Sequence, residues 1–394
     1  MSHPFPPPLP LVPPRPVMCR MALVSFLLSI IGGLFFALPS VAGVVIGHQC
    51  RRRIRRSAGR LEGMGFATAG VVIGYVFIAV WLGFFMLAAT SPGFLRAMKG
   101  HPDEVVSRRI LNERKTFKTK LTRQLREDFP AGEPDAASGM VRVEYPGPLG
   151  AMAAYVSKDP GDGKKHPAII WLVGGFDNSI SPSMLVRGTP DNDQSASAFR
   201  EAGLLMMYPS LRGGNQNPGF KEAFLGEVDD VAAAFAWLRD QPFVDGSRIY
   251  LGGHSTGGTL ALVVAAAVPE LRGVVAFGPV HDVGLYGQSN LPFDVDQRAE
   301  CDQRSPSKFV RIIRPPTVVI EGEDGNVGSL WMLRTFGGNS RVKYFEIAGA
   351  DHFEILRPLS EVLAKALLAD TGRNPEIRVD RAALDAAMAR QKTR

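Results

Sequence analysis

The sequence is poor in cysteine. Only Cys19, Cys50 and Cys301 occur among 394 residues, and no two of them form a CxxC pair. A disulfide framework or a cysteine-based metal site therefore cannot be built, and the cysteine content does not indicate a redox compartment.

Formal charge is absent from two long stretches, residues 21–47 and 65–90. Each is long enough to cross a hydrocarbon core of about 30 Å, which takes about 20 helical residues. We therefore predict two transmembrane helices within residues 21–90, joined by a basic loop at 48–64, and a lipid bilayer as partner. A signal peptide at the first stretch and a buried soluble helix pair are the alternatives.

The net charge of +7 is concentrated in the arginine run at 51–60 and in residues 96–126. No basic face interleaved with aromatic residues accompanies these charges, so the pattern favours a membrane surface and argues against nucleic-acid binding. By the positive-inside rule the short basic loop is cytoplasmic, which places both termini on the other side of the membrane. The layout resembles a small bacterial two-helix membrane domain of unknown function, on the motif 43–48, the basic loop and the motif 65–75.

The remaining segments outside the main domain are rich in proline or charge. Residues 1–20 are proline-rich and predict a disordered tail. Residues 91–138 predict a charged helical linker, because apolar residues within 103–129 recur at spacings of four and seven. We favour a solvated connecting helix there, with packing on the membrane or on the next domain as alternatives. Residues 373–394 predict a C-terminal charged helix or tail.

Residues 139–372 alternate between short β-rich runs and helical segments, which predicts a mainly parallel sheet covered on both faces. The first two runs, 141–145 and 151–156, predict a hairpin. Six more candidate strands follow at 168–173, 204–208, 248–251, 273–277, 317–320 and 342–347. Eight strands with a serine turn after the fifth is the layout of the α/β-hydrolase fold.

That serine turn is Gly253-His254-Ser255-Thr256-Gly257, which fits G-x-S-x-G. The pattern is typical of a strand-to-helix elbow that raises a serine hydroxyl above a parallel sheet. Its glycines allow close passage of the flanking chain. Because glycine is abundant here, the motif alone is weak, but the strand before it and the helix after it favour Ser255 as a nucleophile.

A serine nucleophile needs a base, and the base needs an orienting acid. His352, in the loop after the last predicted strand, is the favoured base, with His281 as the alternative. The acid is expected in the loop 321–327 after the seventh strand, where Asp324 is favoured and Glu321 and Glu323 remain alternatives.

An oxyanion hole needs two backbone N–H donors. One is expected from Thr256, directly after the nucleophile. The other is expected from Gly175 or Phe176, in the glycine turn after the third strand. The alternative is an ordinary glycine-rich strand end.

Three motifs, at residues 208–214, 226–238 and 244–258, resemble the catalytic domain of the prolyl oligopeptidase family and its dienelactone-hydrolase-like relatives. The resemblance spans roughly residues 140–370 and implies a Ser255–Asp324–His352 triad. The elbow departs from the family peptidases, which usually place Trp and Tyr where this chain has His254 and Thr256. No β-propeller precedes the domain, so the resemblance implies hydrolysis through an acyl-enzyme more firmly than peptidase specificity.

The sequence therefore predicts a membrane-anchored serine hydrolase, a serine peptidase resembling prolyl oligopeptidase, that acts on a peptide or ester substrate without metal or organic cofactor. A carboxylesterase or thioesterase of the dienelactone-hydrolase type is the alternative. A different class also stays open, in which the hydrolase fold serves as a non-catalytic membrane scaffold, since fold alone does not imply activity.

Overall fold

The computed structural model describes residues 17–32, 38–57, 59–90 and 104–392. The chain forms two compact units, residues 1–100 and 101–394. Each unit is described by itself. Most of the proline-rich tail predicted at 1–20 lies outside the described residues.

The described residues of the first unit form three helices, α1 (Arg20–Ile31), α2 (Leu38–Arg56) and α3 (Met64–Thr90), with a short parallel pair, β1 (Val17–Met18) and β2 (Leu61–Glu62). The apolar stretch 21–47, predicted as one span, is thus divided between α1 and α2. Pro39 lies in the first turn of α2, where its missing N–H costs little.

Helices α1 and α2 run antiparallel. The Ser25 hydroxyl donates to Gly43 O at 2.7 Å, and the Ser40 hydroxyl donates to Ser29 O at 3.0 Å. The approach is close, because a Cβ added at Gly43 would lie 2.3 Å from Ser29 Oγ. The start of α1 and the basic end of α2 therefore lie at the same end of the unit.

Near the basic run, the segment before α1 contacts α2 and pairs with β2. The Sγ atoms of Cys19 and Cys50 are 2.9 Å apart, and both thiols are free. Val17 pairs with Leu61 in the short parallel ladder. Among the described residues one helical stretch, Met64–Phe84, is long and apolar enough to cross a membrane, and Arg20–Ile31 is a shorter apolar helix.

The second unit is built on an eight-stranded sheet with the strand order β10-β9-β8-β7-β5-β6-β4-β3. Its strands are β3 (Met140–Gly147), β4 (Gly150–Ser157), β5 (His166–Leu172), β6 (Leu205–Pro209), β7 (Val244–His254), β8 (Gly273–Phe277), β9 (Thr317–Gly322) and β10 (Val342–Ile347). The β3–β4 pair is antiparallel, as predicted, and so is β4–β6, while the other neighbours are parallel. The predicted α/β-hydrolase fold with a mostly parallel sheet is confirmed.

Eight helices belong to the described part of this unit: α4 (Glu104–Arg114), α5 (Ser197–Glu201), α6 (Glu227–Arg239), α7 (Thr256–Ala267), α8 (Arg298–Asp302), α9 (Val327–Gly337), α10 (Leu356–Ala369) and α11 (Arg381–Lys392). They cover both faces of the sheet. Along β5, Ile170 and Leu172 belong to one core layer, whereas Ile169 and Trp171 belong to the other. This alternation is the period of two that buries both faces of a parallel strand.

The segment predicted as a charged helical linker is only partly helical. Helix α4 ends at Arg114, and its Ser107 and Ile110 are buried. Residues 115–129, called the strap below, then run along the second unit without a regular helix: Leu121 pairs with Phe293 in an isolated bridge, and Thr122 N donates to Pro292 O at 2.7 Å. The preferred interpretation, a solvated connecting helix, is wrong, because the strap's backbone bonds to loops of the second unit.

The C-terminal segment predicted as a charged helix or tail packs into the fold. Leu384, Ala387 and Met388 of α11 are buried in the same core layer as Leu363 of α10. Residues 373–392 are therefore part of the second unit.

Candidate active site

Ser255 stands on a strained turn between β7 and α7. Its backbone has φ 55° and ψ −116°, in the left-handed half of the map that a residue with a Cβ rarely adopts. The strain is held by the N–H of Ser255, which donates to Phe277 O at 2.8 Å, and by Ser255 O, which accepts from Thr259 N at 2.9 Å. Strained single residues of this kind cluster at functional sites, and a strand–turn–helix context is the one in which G-x-S-x-G is meaningful.

The two glycines of the motif are required by contact. A Cβ at Gly253 would lie 2.5 Å from the backbone of Gly257, and one at Gly257 would lie 2.1 Å from Leu172 O. Both contacts involve backbone that cannot yield. The turn can therefore form only with glycine at these positions.

His352 lies in the loop after β10, with its ring against a buried carboxylate. Its Nδ1 is 3.0 Å from Glu321 Oε2 and 3.3 Å from Oε1. Glu321 is fully buried near the end of β9 and also accepts from Gly322 N and Asn326 N, both at 2.8 Å. The imidazole is thus oriented by a carboxylate that the backbone holds in place.

Asp324, the favoured acid, does not occupy that position. Its side chain is exposed, and its N–H donates to Ala350 O at 3.0 Å. Glu323 is exposed as well and accepts from Gly349 N at 2.9 Å. Of the three carboxylates in the described loop 321–327, Glu321 is the one that bonds to the imidazole. It belongs to strand β9 and precedes the turn that carries Glu323 and Asp324.

Ser255 and His352 border the same corner of the sheet, formed by Phe277 and Gly278. Ser255 bonds to Phe277 O, and a Cβ at Gly278 would lie 2.2 Å from His352 Cε1. The other candidate base, His281, bonds to a different residue: its Nδ1 is 3.1 Å from Ser329 Oγ. Ser255 and His352 thus both lie next to residues 277–278, and Glu321 bonds to the His352 ring.

His254 supports the loop of His352. Its Nε2 is 3.1 Å from His352 O, and the two rings lie 4.5 Å apart between centroids. Burial, reinforced by the neighbouring His352, lowers the pKa of His254 to about 3. The ring is therefore neutral at physiological pH and has a packing role.

The predicted oxyanion donors come from two loops that meet. The Thr256 hydroxyl donates to Gly175 O, which ties the start of α7 to the turn after β5. That turn needs glycine, because Gly175 has φ 103° and a Cβ at Gly174 would lie 3.2 Å from Ser255 Cβ. Phe176 follows with a half-exposed ring whose centroid is 5.3 Å from that of Tyr286. The glycine turn after β5 and the start of α7 therefore both adjoin the serine elbow.

A cavity of about 230 Å³ adjoins these donors. Its walls include Thr256 and Gly257 of α7, Gly175 and Phe176 of the glycine turn, and Leu125 of the strap. Phe224, also in the lining, stacks on Tyr286 with ring centroids 5.6 Å apart. Cavities of this kind, largely apolar with a few polar groups, are the usual sites for small ligands.

The strap contributes to this site in a way that the sequence analysis missed. The Glu127 carboxylate accepts from Ser179 N at 3.0 Å and from Ser179 Oγ at 2.5 Å, and it pairs with Lys221. Arg123 donates to Leu291 O at 2.8 Å. In the sequence both residues lie in a charged run whose spacing indicates only a helix face, so no local signal reveals their partners.

Comparison with protein families gives two matches. Residues 190–327 match the model of the prolyl oligopeptidase family, and residues 21–84 match a domain of unknown function, DUF4190. The predicted resemblance and the predicted enzyme class, a serine hydrolase, are confirmed. The DUF4190 match hints at membrane association.

Two curated relatives extend the match. The chain is 26% identical over 187 residues to the uncharacterized peptidase YtmA of Bacillus subtilis, covering 43% of this chain and 67% of that protein. It is 26% identical over 132 residues to Prolyl oligopeptidase A of Amanita bisporigera, covering 32% of this chain and 16% of that protein.

Solved structures similar to the chain include peptidases and esterases. A puromycin-hydrolyzing peptidase of Mycobacterium tuberculosis is 18% identical at a TM-score of 0.48, covering 62% of this chain and 41% of that one. The esterase Pf2001 of Pyrococcus furiosus is 15% identical at a TM-score of 0.45, covering 61% and 95%.

Proposed function

We propose that Ser255, His352 and Glu321 act as a catalytic triad in this chain, whose residues 190–327 match the prolyl oligopeptidase family. The observation that supports this most is the contact between His352 Nδ1 and the buried Glu321 carboxylate beside the strained serine turn. Glu321 takes the place for which the sequence favoured Asp324.

The proposed mechanism follows from these positions. His352 Nε2 takes the proton of Ser255 Oγ as the oxygen attacks the substrate carbonyl carbon, while Glu321 keeps the other ring nitrogen protonated and fixes the ring. The N–H of Thr256 and that of Gly175 or Phe176 stabilise the oxyanion. The proton then passes from His352 to the leaving group, and water releases the acyl group by the same route in reverse.

Labelling with a fluorophosphonate tests this proposal directly. We expect the wild-type protein to be labelled on Ser255 and the Ser255→Ala variant to remain unlabelled. Equal labelling of the two proteins, or none of either, would contradict the triad. The second of these results would support the non-catalytic scaffold.

For the substrate, we infer a peptide bond, because the prolyl oligopeptidase model covers residues 190–327, which include the serine elbow, and because a curated relative is a peptidase. Two substrates with the same acyl group, one a p-nitrophenyl ester and the other a p-nitroanilide, distinguish the peptidase from the carboxylesterase or thioesterase alternative. Cleavage of both supports the peptidase. Cleavage of the ester alone supports the esterase.

We also propose that the first unit anchors the protein in a membrane through α3. Its 27 residues span about 40 Å, whereas the 12 residues of α1 span only about 18 Å at 1.5 Å per residue, too short for a core of about 30 Å. Apolar side chains of α1 and α3 are exposed and available to lipid, Leu27 and Val76 among them. Helices α1 and α2 then form a re-entrant pair beside a single crossing helix.

This arrangement predicts a topology different from that of two spans. The start of α1 and the basic end of α2 lie on one side, by the positive-inside rule the cytoplasmic side, and the catalytic domain lies on the other. Protease protection of an N-terminal tag and of the catalytic domain in sealed vesicles tests it. We expect opposite protection for the two, whereas two spans require the same.

A further inference from the structure

The last turns of α2 and the segment after them enclose an open, basic cavity in the first unit. Its volume is about 590 Å³. The lining includes four guanidinium groups and two neutral polar side chains, those of Arg52, Arg53, Arg56, Arg60, Gln49 and Ser57. Because guanidinium groups stay charged at any physiological pH, the cavity carries a concentrated positive charge.

Hydrogen bonds fix the turn that follows α2 on one side of this cavity. The Ser57 hydroxyl donates to Ile54 O at 2.8 Å and accepts from Leu61 N at 3.0 Å. Arg60 Nε donates to Ser57 O at 3.3 Å. Leu61 is held in turn by the parallel ladder with Val17. The arginines therefore stand around an ordered turn.

The first unit has almost no negative charge with which to neutralise these arginines. Glu62 is the one acidic residue in the sequence of residues 1–100. Within the part of the chain that the structure describes, no carboxylate lies within ion-pair distance of the four arginines, and the ion pairs begin at Glu104 with Arg108. Like charges that share a cavity repel one another, and a bound anion would relieve that repulsion.

The exposed face of α2 that ends in this cavity begins with apolar side chains. Five residues recur along it at spacings of three or four, namely Leu38, Val41, Val45, Gln49 and Arg52. They therefore share one face of the helix. The three apolar side chains are at least half exposed. From residue 38 to residue 49 the helix rises about 17 Å, close to the depth of one leaflet in a hydrocarbon core of about 30 Å.

We propose that this face of α2 binds one anionic glycerophospholipid, with its phosphate in the arginine cavity and its acyl chains along the apolar side chains. Guanidinium groups match phosphate oxygens in both charge and hydrogen-bond geometry. Basic pockets beside membrane helices on the cytoplasmic side bind anionic headgroups through the same chemistry. The inference rests on the proposed membrane anchor, which brings the basic end of α2 to the headgroups, and it is independent of the triad.

Binding can be measured on the full chain in a nonionic detergent by native mass spectrometry, which counts the bound lipids. The probes, at constant ionic strength, are dioctanoyl phosphatidylglycerol, dioctanoyl phosphatidylcholine with the same acyl chains, and glycerol 3-phosphate without chains. We expect one phosphatidylglycerol per chain, bound at least about tenfold more tightly than either other probe. Hydrogen bonds to the charged phosphate account for the first preference, and contacts of the acyl chains account for the second.

Three substitutions of exposed residues locate the site. Arg56→Gln removes a guanidinium group from the cavity and should weaken phosphatidylglycerol binding about tenfold. The matched control is Arg55→Gln, which removes an exposed charge from outside the cavity lining and should change this binding less than about threefold. Val45→Asn, on the apolar part of the face, should weaken phosphatidylglycerol binding without changing that of glycerol 3-phosphate.

The proposal is overturned if the wild-type protein binds phosphatidylcholine or glycerol 3-phosphate as tightly as phosphatidylglycerol, or if Val45→Asn leaves lipid binding unchanged. Equal losses in Arg55→Gln and Arg56→Gln would also overturn it, because they would show a diffuse attraction of the arginine run to anionic surfaces.

Failure of this site is distinct from failure of the anchor, since binding in detergent does not depend on topology. Loss of the lipid preference with the expected protease protection in vesicles removes the lipid site alone. Altered protection with an intact lipid preference removes the proposed topology alone.

Discussion

At the scale of single residues, the decisive contact is that between His352 and Glu321. We predict that Glu321→Gln lowers fluorophosphonate labelling and p-nitrophenyl acetate turnover by about 10²–10⁴-fold, because the imidazole loses the partner that fixes its tautomer. The matched control is Asp324→Asn, which removes an exposed carboxylate three residues later and should change the rate less than about threefold. The reverse order of effects would restore Asp324 as the acid.

A second residue-scale prediction concerns acid stability. His254 has a pKa of about 3 in the folded protein because of burial, against about 6.5 in the unfolded chain. The folded pKa is the lower one, so protons bind preferentially to the unfolded chain between these values. The contribution of His254 to the free energy of unfolding should therefore fall by up to about 1.4 kcal/mol for each pH unit lowered from 6.5 toward 3.

Urea unfolding of the wild-type protein and of His254→Gln across pH 4–8 measures this contribution. The glutamine keeps a donor for His352 O but does not titrate. We expect the wild-type advantage at pH 8 to shrink steadily below pH 6.5. Curves that stay parallel over the whole range would show that His254 titrates normally.

At the scale of elements, the strap is part of the site's wall. Glu127 joins it to Ser179 and Lys221, both beside the cavity. We predict that Glu127→Ala lowers the free energy of unfolding by about 1–3 kcal/mol, because it leaves the half-buried Lys221 without its nearest carboxylate. Esterase or peptidase turnover should fall as well, since Lys221 also holds Phe176 O.

The neighbouring residue supplies the control for that variant. Asp128 is largely exposed and pairs with Arg126 on the same strap, so Asp128→Ala should change stability by less than about 0.5 kcal/mol. Equal effects of the two substitutions would mean that the contacts of Glu127 stabilise the protein no more than an exposed ion pair does.

At the scale of the whole molecule, the extent of the catalytic unit can be tested by truncation. We predict that a fragment of residues 104–394 folds and is labelled at Ser255, whereas one of residues 139–394 unfolds at a lower temperature or aggregates. The shorter fragment lacks α4 and the strap, whose removal uncovers Phe293 and the carbonyl groups of Leu291 and Pro292. Equal melting temperatures would contradict this boundary.

Much of the second unit could be predicted from the sequence, because its signals are local. The eight strands, the hairpin and the serine elbow each depend on hydrophobic runs and glycine turns within a dozen residues. The choice of acid could not be predicted in this way. Glu321, Glu323 and Asp324 lie within four residues, and only the end of β9 and the direction of its turn decide which of them meets His352.

The other differences arise from contacts between distant segments. The apolar stretch 21–47 has the length of one span, and its division into α1 and α2 depends on bonds such as Ser25 Oγ to Gly43 O. The strap has the spacing of an amphipathic helix, yet its partners lie in distant segments: Glu127 bonds to Ser179, and Thr122 bonds to Pro292 O, 170 residues away. Neither the periodicity nor the composition of the sequence identifies such partners.

The position of the strap also bears on what the protein becomes if it is cut. A protease that cleaved the chain before Glu104 would release an enzyme with its cavity wall complete. A cut at residues 130–134, directly after the strap, would remove that wall from the active site. The cleavage site would then determine whether the protein is released as a diffusible hydrolase or is inactivated.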